Sequence, residues 1–183
     1  MNRRYGFTLV ELLVTIAILG LLLGILMPSL GVARSATLKA RCAVNLSSVH
    51  KALGVYQSQV ASAQGRIVLY PSATGWQQTL IDKAGINREH LICPSAKANV
   101  LPHYGLNTKG ATKNEIGIVA LDFNAESANP DNNLTTPLKD SARHRNTTLN
   151  VLYSDGAVQS AKPDAINPTN AAVKTRLWDP PAP

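Results

Sequence analysis

Charged side chains are scarce in this sequence, and they never gather into blocks. Asp, Glu, Lys and Arg make up 16% of the 183 residues, and no run of five or six like charges occurs. Basic residues nevertheless exceed acidic ones, and the net charge is +7. Because neither a basic stripe nor a recognisable reader motif accompanies this excess, the charge favours a solvated surface over nucleic-acid binding.

Cysteine is also scarce, since Cys42 and Cys93 are the only two. One pair allows at most one disulfide, which forms readily in an exported protein, whereas the thiols of a cytosolic protein stay mostly reduced. The N-terminal residues therefore decide how the pair is interpreted.

The longest stretch without charge includes Leu12 to Leu30, where none of the 19 residues is Asp, Glu, Lys or Arg. A helix of about 20 apolar residues is long enough to cross a bilayer. Arg3 and Arg4 precede this stretch, and the positive-inside tendency keeps such residues in the cytoplasm. Everything after Pro28 would then lie outside the inner membrane.

Two ordinary interpretations of this apolar stretch leave Glu11 unexplained. A secretory signal peptide would have a shorter apolar run and a small-residue cleavage site, for which the residues up to Ala33 would serve. An uncleaved signal-anchor would make the chain a membrane-anchored periplasmic binding or enzymatic domain. Neither needs an ionisable group, which costs about 2.5–3.5 kcal/mol at the centre of a membrane helix.

The segment Gly6-Phe7-Thr8-Leu9-Val10-Glu11 resembles the processing site of type IV prepilins and type II secretion pseudopilins. The resemblance implies that a membrane-bound prepilin peptidase cuts between Gly6 and Phe7 and methylates the new amine of Phe7. When subunits stack in a filament, that amine would neutralise Glu11 of a neighbouring subunit, which offsets the cost of burying the carboxylate. Glu11 is then an assembly residue.

On this interpretation the chain is a structural subunit and not an enzyme, with no cofactor. It would enter the bacterial inner membrane as a single pass with its head in the periplasm, and then join a type II secretion pseudopilus or a type IV pilus-like filament. Its partners would be the prepilin peptidase, the inner membrane and other pilin or pseudopilin subunits, with no nucleic acid. Pro28 is expected to kink the long helix.

The sequence predicts five segments along the chain. They are a leader (1–6), a transmembrane and filament-core helix (7–30), an amphipathic helix of the head (31–61), a β-rich globular head (62–161) and a Pro-rich tail (162–183). The amphipathic part shows apolar residues at steps of three and four: Cys42, Leu46, Val49, Leu53, Tyr56 and Val60.

The expected fold class is α+β and pilin-like, with the long N-terminal helix packed on a small antiparallel sheet. Short apolar runs bounded by turn residues predict strands within 66–70, 90–95, 115–124 and 149–159. The last run holds a hairpin with Asp155-Gly156 at its turn. Residues 76–84 predict a short helix, and the tail is expected to be extended or loosely docked, with Trp178 as a packing point.

Ten residues separate His144 from Asp155-Gly156 along the chain. This arrangement resembles the C-terminal His…Asp-Gly motif of a pilin-like family abundant in Planctomycetes, and "ARCAVNLSSVHKALGVYQ" and "LICPSA" are similar to other parts of that family. A His–Asp pair can serve acid–base catalysis. Because no nucleophile motif or second carboxylate accompanies it, we expect no catalytic residue: Asp155 shapes the turn and His144 caps a strand end.

No metal site is expected either, because His90, His103 and His144 are dispersed and lack the spacing of metal ligands. An alternative is a calcium site formed by three aspartates, for which the sequence shows no loop motif: Asp122, Asp131 and Asp140. For an exported chain, a disulfide between Cys42 and Cys93 is favoured over two buried free thiols. It would tie the long helix to the sheet and contribute about 3–4 kcal/mol through loop closure.

Overall fold

The computed structural model of the chain describes residues 7–64, 70–72, 74–96, 102–108, 117–128, 135–144 and 147–178. The chain divides into two compact units, Met1–Thr37 and Leu38–Pro183. We call Leu38–Pro183 the head unit.

Helix α1 spans Leu9–Gln64, with Pro28 inside it. Its early residues are mainly Leu, Ile, Val and Ala, and in a single chain they are exposed. Within the head unit one face of α1 is buried, at Cys42, Leu46, Val49, Ala52 and Leu53. Four of these residues, Cys42, Leu46, Val49 and Leu53, belong to the apolar pattern noted in the sequence, since residues three and four apart lie on one side of a helix.

Four described strands form an antiparallel sheet in the order β1-β2-β3-β4. They are β1 (Tyr104–Leu106), β2 (Ile118–Asp122), β3 (Leu149–Tyr153) and β4 (Val158–Ala161). The pairs Leu121 with Val151 and Val151 with Gln159 set the register of the three longer strands. The long helix packed on this sheet is an α+β, pilin-like arrangement, as the sequence predicted.

Both faces of the sheet are covered, which explains why all five residues of β2 are buried. Side chains alternate across β3 with the period of a strand. Leu152 joins the core formed with α1, whereas Leu149 and Val151 join a second core on the opposite face. Leu138 of helix α3 (Thr135–Ser141) and Trp178 contribute to that second core.

Helix α2 spans Trp76–Ala84, the range that the sequence predicted. Gly75 precedes it and Gly85 follows it, both in the left-handed conformation. Glycine adopts that conformation without a Cβ clash, so the two residues set the ends of the helix. Trp76 anchors the helix by donating from Nε1 to the carbonyl of Glu126 at 3.0 Å.

The predicted strand at 90–95 is wrong, because Arg88–Leu91 forms a 3₁₀ helix. Asn87 starts this helix by accepting a hydrogen bond from the Glu89 amide on its side chain. Strand β1 and helix α3 were not predicted. The strand predicted within 115–124 is confirmed at β2, and the hairpin at β3 and β4. The strand predicted at 66–70 lies outside the described residues except for Tyr70, which is not in a strand.

The prediction of an extended tail is wrong for the described part. Pro163–Ile166 forms a 3₁₀ helix, Ala171–Val173 forms the short helix α4, and Lys174–Trp178 forms a π-helix. The expectation that Trp178 packs is confirmed, since this residue is fully buried. The second face of the sheet needs an apolar cover, and the tail supplies it.

Candidate functional site

The first turn of α1 is closed by a reciprocal pair of hydrogen bonds between Thr8 and Glu11. The Thr8 amide donates to Glu11 Oε2 at 2.8 Å, and the Glu11 amide donates to Thr8 Oγ1 at 3.3 Å. The Thr8 hydroxyl also donates to Oε2, at 2.7 Å. This arrangement is a capping box, which supplies partners for amides that a helix N-terminus leaves unpaired. Thr-x-x-Glu before an apolar run is the sequence signature of a capping box, and this signature was not among the motifs predicted from the sequence.

The other polar side chains of residues 7–30 are also satisfied within α1. Thr15 Oγ1 donates to the Leu12 carbonyl at 2.8 Å, and Ser29 Oγ donates to the Leu26 carbonyl at 2.7 Å. With Thr8 and Glu11 they are all the polar side chains of this stretch. A polar group in lipid costs several kcal/mol only when it is left without a partner.

The apolar side chains of the same stretch have no cover within the single chain. Phe7 is 73% exposed and Ile25 is 71% exposed. Among the described residues, α1 is the helix long and apolar enough to cross a membrane, with a mean hydropathy of 2.7 over its most apolar window.

Pro28 lies inside α1. It lacks an amide hydrogen and so leaves one helical hydrogen bond unmade. The bend expected there stays a prediction, and Gly6 lies outside the described residues.

Cys42 of α1 and Cys93 form a disulfide in the head unit, with Cα atoms 5.2 Å apart. Neighbouring hydrogen bonds hold the Cys93 segment against α1 and against His103, the residue before β1. Asn45 of α1 donates to the Ile92 carbonyl at 2.8 Å, and the Cys93 amide donates to His103 Nδ1 at 3.1 Å. The link therefore joins α1 to the segment that follows the 3₁₀ helix, not to a strand.

His144 pairs with Asp122, a partner that the sequence did not indicate. Its Nε2 lies 2.8 Å from Asp122 Oδ2, and both side chains have no exposed surface. The amide of Asn150 donates to the same carboxylate oxygen at 2.6 Å. No local pattern could have revealed this pair, because Asp122 ends β2 and His144 precedes β3, and only the pairing of the two strands brings them together.

Asp155 and Gly156 lie in the turn between β3 and β4, where Asp155 Oδ1 accepts from the Ala157 amide at 2.9 Å. Gly156 has a φ of +86°. A Cβ atom at this position would stand 2.9 Å from Nε2 of His50 on α1. The turn therefore needs glycine both for its backbone conformation and for its close approach to α1.

Burial shifts the pKa values of two other ionisable groups near Asp122, those of Tyr104 and Arg143. Burial raises the pKa of Tyr104, and the negative charge of Asp122 raises it further. Burial lowers the pKa of Arg143, while Asp122 opposes that change. The guanidinium is held by the Ser141 carbonyl and by the Asn124 side chain.

The aspartates considered for calcium do not share a described site. The Oδ2 of Asp122 is engaged inside the head unit, Asp140 is exposed on α3, and Asp131 lies outside the described residues. A cavity of about 530 Å³ lies on the surface between β4 and the tail, lined by Tyr153, Lys162 and Arg176 among others. The described residues around it include no nucleophile paired with a base.

Residues 1–27 match the family model of the prokaryotic N-terminal methylation motif. No curated protein and no solved structure matches the chain. The motif and the long apolar helix fit anchoring in the inner membrane followed by incorporation into a filament. The match thus supports a type IV pilin-like protein, a subunit processed by a prepilin peptidase and structural in role.

Proposed function

We propose that this chain is a structural subunit of a type II secretion pseudopilus or a type IV pilus-like filament. The peptidase would remove the leader (1–6), methylate Phe7 and leave the helix of residues 7–30 on the mature protein. Residues 31–161 and the tail (162–183) would form the part outside the membrane. The filament core would then be built from the apolar helices of many subunits.

The observation that carries this proposal is the state of α1 before assembly. Every polar side chain in residues 7–30 is satisfied within the helix, while the apolar ones are exposed. Such a helix is suited first to lipid and then to the apolar faces of identical helices. Cleavage before Phe7 leaves the Thr8 amide intact, so the capping box persists in the mature chain.

The capping box also gives Glu11 two successive partners. In a single subunit in the membrane, Thr8 donates to the carboxylate and lowers the cost of carrying it. In the filament, the methylated amine of a neighbouring Phe7 would approach it and neutralise its charge. A buried carboxylate with one specific cationic partner favours a single axial register of the subunits.

The N-terminal residue of the mature protein tests the proposal directly. Mass spectrometry of the protein expressed with a prepilin peptidase should find N-methyl-Phe7, and omission of the peptidase should leave Met1. A mature chain beginning at Arg34 would mean secretion after ordinary signal cleavage. An intact Met1 in the presence of the peptidase would mean a plain anchor carrying a periplasmic binding or enzymatic domain.

Two substitutions separate the charge of Glu11 from its capping role. Glu11→Gln keeps an oxygen that can accept from the Thr8 amide but removes the charge. Thr8→Val removes the capping hydroxyl but keeps the charge of Glu11. We expect Glu11→Gln to prevent incorporation into filaments while leaving cleavage intact, and Thr8→Val to allow incorporation. Filaments that incorporate Glu11→Gln at the wild-type level would contradict pairing between Glu11 and the Phe7 amine.

A further inference from the structure

Four buried side chains with metal-binding chemistry meet beneath α1. Cys42 comes from α1, Cys93 from the segment after the 3₁₀ helix, Asp122 from the end of β2, and His144 from the segment before β3. One ligand atom from each lies within 4.8 Å of the others, and all four residues are buried. The filament assembly proposed above makes no use of this cluster.

The donor set is one that zinc prefers. Zn²⁺ binds thiolate, imidazole and carboxylate ligands in tetrahedral sites, and structural sites are closed by four protein ligands. Neighbouring ligand atoms of such a site lie about 3.3–3.8 Å apart, given metal–ligand bonds of about 2.0–2.3 Å. On reduction the two sulfur atoms would move apart, and any other pair of ligand atoms at the 4.8 Å limit would need to approach by about 1 Å.

A second observation is independent of the spacing. Asp122 Oδ1 and His144 Nδ1 are both buried, and neither has a hydrogen-bond partner among the described residues. A buried polar atom without a partner is costly and is rare in folded proteins. Each of these two atoms can act as a metal ligand. The other carboxylate oxygen is already oriented by the Asn150 amide at 2.6 Å, as is usual for the supporting contacts of metal ligands.

The geometry points to a zinc-type divalent metal site formed by Cys42, Cys93, Asp122 and His144 when the two cysteines are reduced. The sulfur atoms of a disulfide are not thiolates, so the metal-bound form and the disulfide form exclude each other. An external dithiol would reduce the disulfide and itself become a disulfide. The ion would then displace the protons of the two thiols. Either form joins α1 to the rest of the head unit at the same place.

This site would serve the chain before its cysteines are oxidised. A newly made chain with two free thiols would still have α1 fixed through the metal ion. Thiol–disulfide exchange with an external disulfide, which is itself reduced to a dithiol, would then oxidise the two cysteines and release the ion. Metal affinity is therefore expected to depend on the redox state of the cysteines.

Cobalt(II) is the probe for the first experiment. The full-length protein in detergent is reduced with a phosphine, freed of reductant without oxygen, and titrated with Co²⁺. We expect one equivalent to bind, with the visible bands of tetrahedral cobalt and a near-ultraviolet thiolate charge-transfer band. Zn²⁺ should displace the cobalt, and the oxidised protein should show neither band. A reduced, folded protein that gives no tetrahedral cobalt spectrum would overturn the site.

Substitutions assign the ligands. His144→Ala and Asp122→Asn should each weaken binding at least tenfold, and Cys42→Ser should weaken the charge-transfer band. The control His90→Ala changes a histidine outside the cluster and should bind cobalt as the unmodified protein does. Unchanged cobalt spectra in both His144→Ala and Asp122→Asn would overturn the assignment.

The unmodified chain provides a test that does not depend on the folding of variants. Alkylation of Cys42 and Cys93 in the reduced protein should slow at least tenfold when Zn²⁺ is added, and a chelator should restore the rate. Equal alkylation rates with and without Zn²⁺ would show that the thiols do not hold the ion.

Discussion

His50 of α1 lies directly against Gly156 in the turn between β3 and β4, where a Cβ atom would stand 2.9 Å from the His50 Nε2. The sheet also contacts α1 through the Asn150 side chain, which donates to the Lys39 carbonyl at 3.2 Å. Together with the disulfide at Cys42, these contacts fix α1 to the head unit at three points along one helix face.

Gly156→Ala is expected to destabilise the head unit strongly. The substitution forces a side chain into a left-handed backbone conformation, at about 1 kcal/mol, and adds overpacking against His50, at about 1–3 kcal/mol. Denaturant unfolding followed by tryptophan fluorescence measures the loss, because Trp76 and Trp178 are both buried in the head unit.

Gly85→Ala is the matched control for that substitution. Gly85 also has a positive φ, of +67°, but a Cβ atom there would meet nothing within 4 Å. Only the conformational cost should therefore appear. If Gly156→Ala is no more destabilising than Gly85→Ala, the contact with His50 has no energetic weight. The double variant His50→Ala, Gly156→Ala should regain part of the loss.

Loss of the disulfide should destabilise the head unit by about 4 kcal/mol, the loop-closure value for cysteines 51 residues apart in sequence. The variant with Cys42→Ala and Cys93→Ala and the reduced protein should both unfold at lower denaturant concentration, with a chelator present in every sample. The double variant should be insensitive to reductant. An unmodified protein whose unfolding midpoint is the same with and without reductant would contradict a disulfide in the folded state.

Trp178→Ala should detach the described tail from the sheet. The indole is fully buried, and its Nε1 donates to the Ile166 carbonyl at 2.6 Å. The main chain of Trp178 also accepts from Asn107 at 3.0 Å. We expect a loss of about 3–5 kcal/mol and faster proteolysis within residues 163–178.

Two further variants test whether the contacts of the buried indole cause the loss of stability in Trp178→Ala. Trp178→Phe keeps much of the apolar contact and loses one hydrogen bond, so its cost should be smaller, at about 1–2 kcal/mol beyond repacking. Thr175→Ala changes an exposed residue of the same π-helix and should be neutral. Protection of the tail from protease in Trp178→Ala would show that other residues anchor it.

Alkaline pH should destabilise the head unit through Tyr104. Burial, and then the charge of Asp122, raise its pKa, so the folded state disfavours the ionised phenol. Its stabilising contribution is fully present below the ordinary tyrosine pKa of about 10 and is lost as the pH rises above that value. Denaturant unfolding at a series of alkaline pH values measures how steeply the free energy of unfolding falls as the pH rises.

Tyr104→Phe should remove much of this pH dependence at little cost near neutrality. The hydroxyl is buried without a hydrogen bond of ordinary geometry, although Asn45 lies close enough to moderate the shift. Removing an unpaired buried hydroxyl is close to neutral, within about 1 kcal/mol. If the free energy of unfolding of Tyr104→Phe falls with alkaline pH as steeply as that of the unmodified protein, other groups cause the pH dependence. Tyr153, whose pKa is also raised, is one such group.

The elements predicted correctly are those that local chemistry specifies. Helix α2 lies between Gly75 and Gly85, and the β3–β4 hairpin turns at Asp155-Gly156, so neighbouring residues alone define their limits. Strand β1 has three residues with Gly105 at its centre, which leaves no alternating pattern to detect. Its glycine is required by packing, since a Cβ atom there would lie 2.8 Å from the Phe123 ring.

The sequence by itself determined the N-terminal processing motif, the apolar helix and its amphipathic continuation, because each depends on the order of residues along one segment. The tertiary structure decided that His144 pairs with Asp122 and that both lie beside Cys42 and Cys93. It also decided that the tail covers the second face of the sheet through Trp178. These contacts join residues far apart in sequence, and only the pairing of strands and the packing of α1 bring them together.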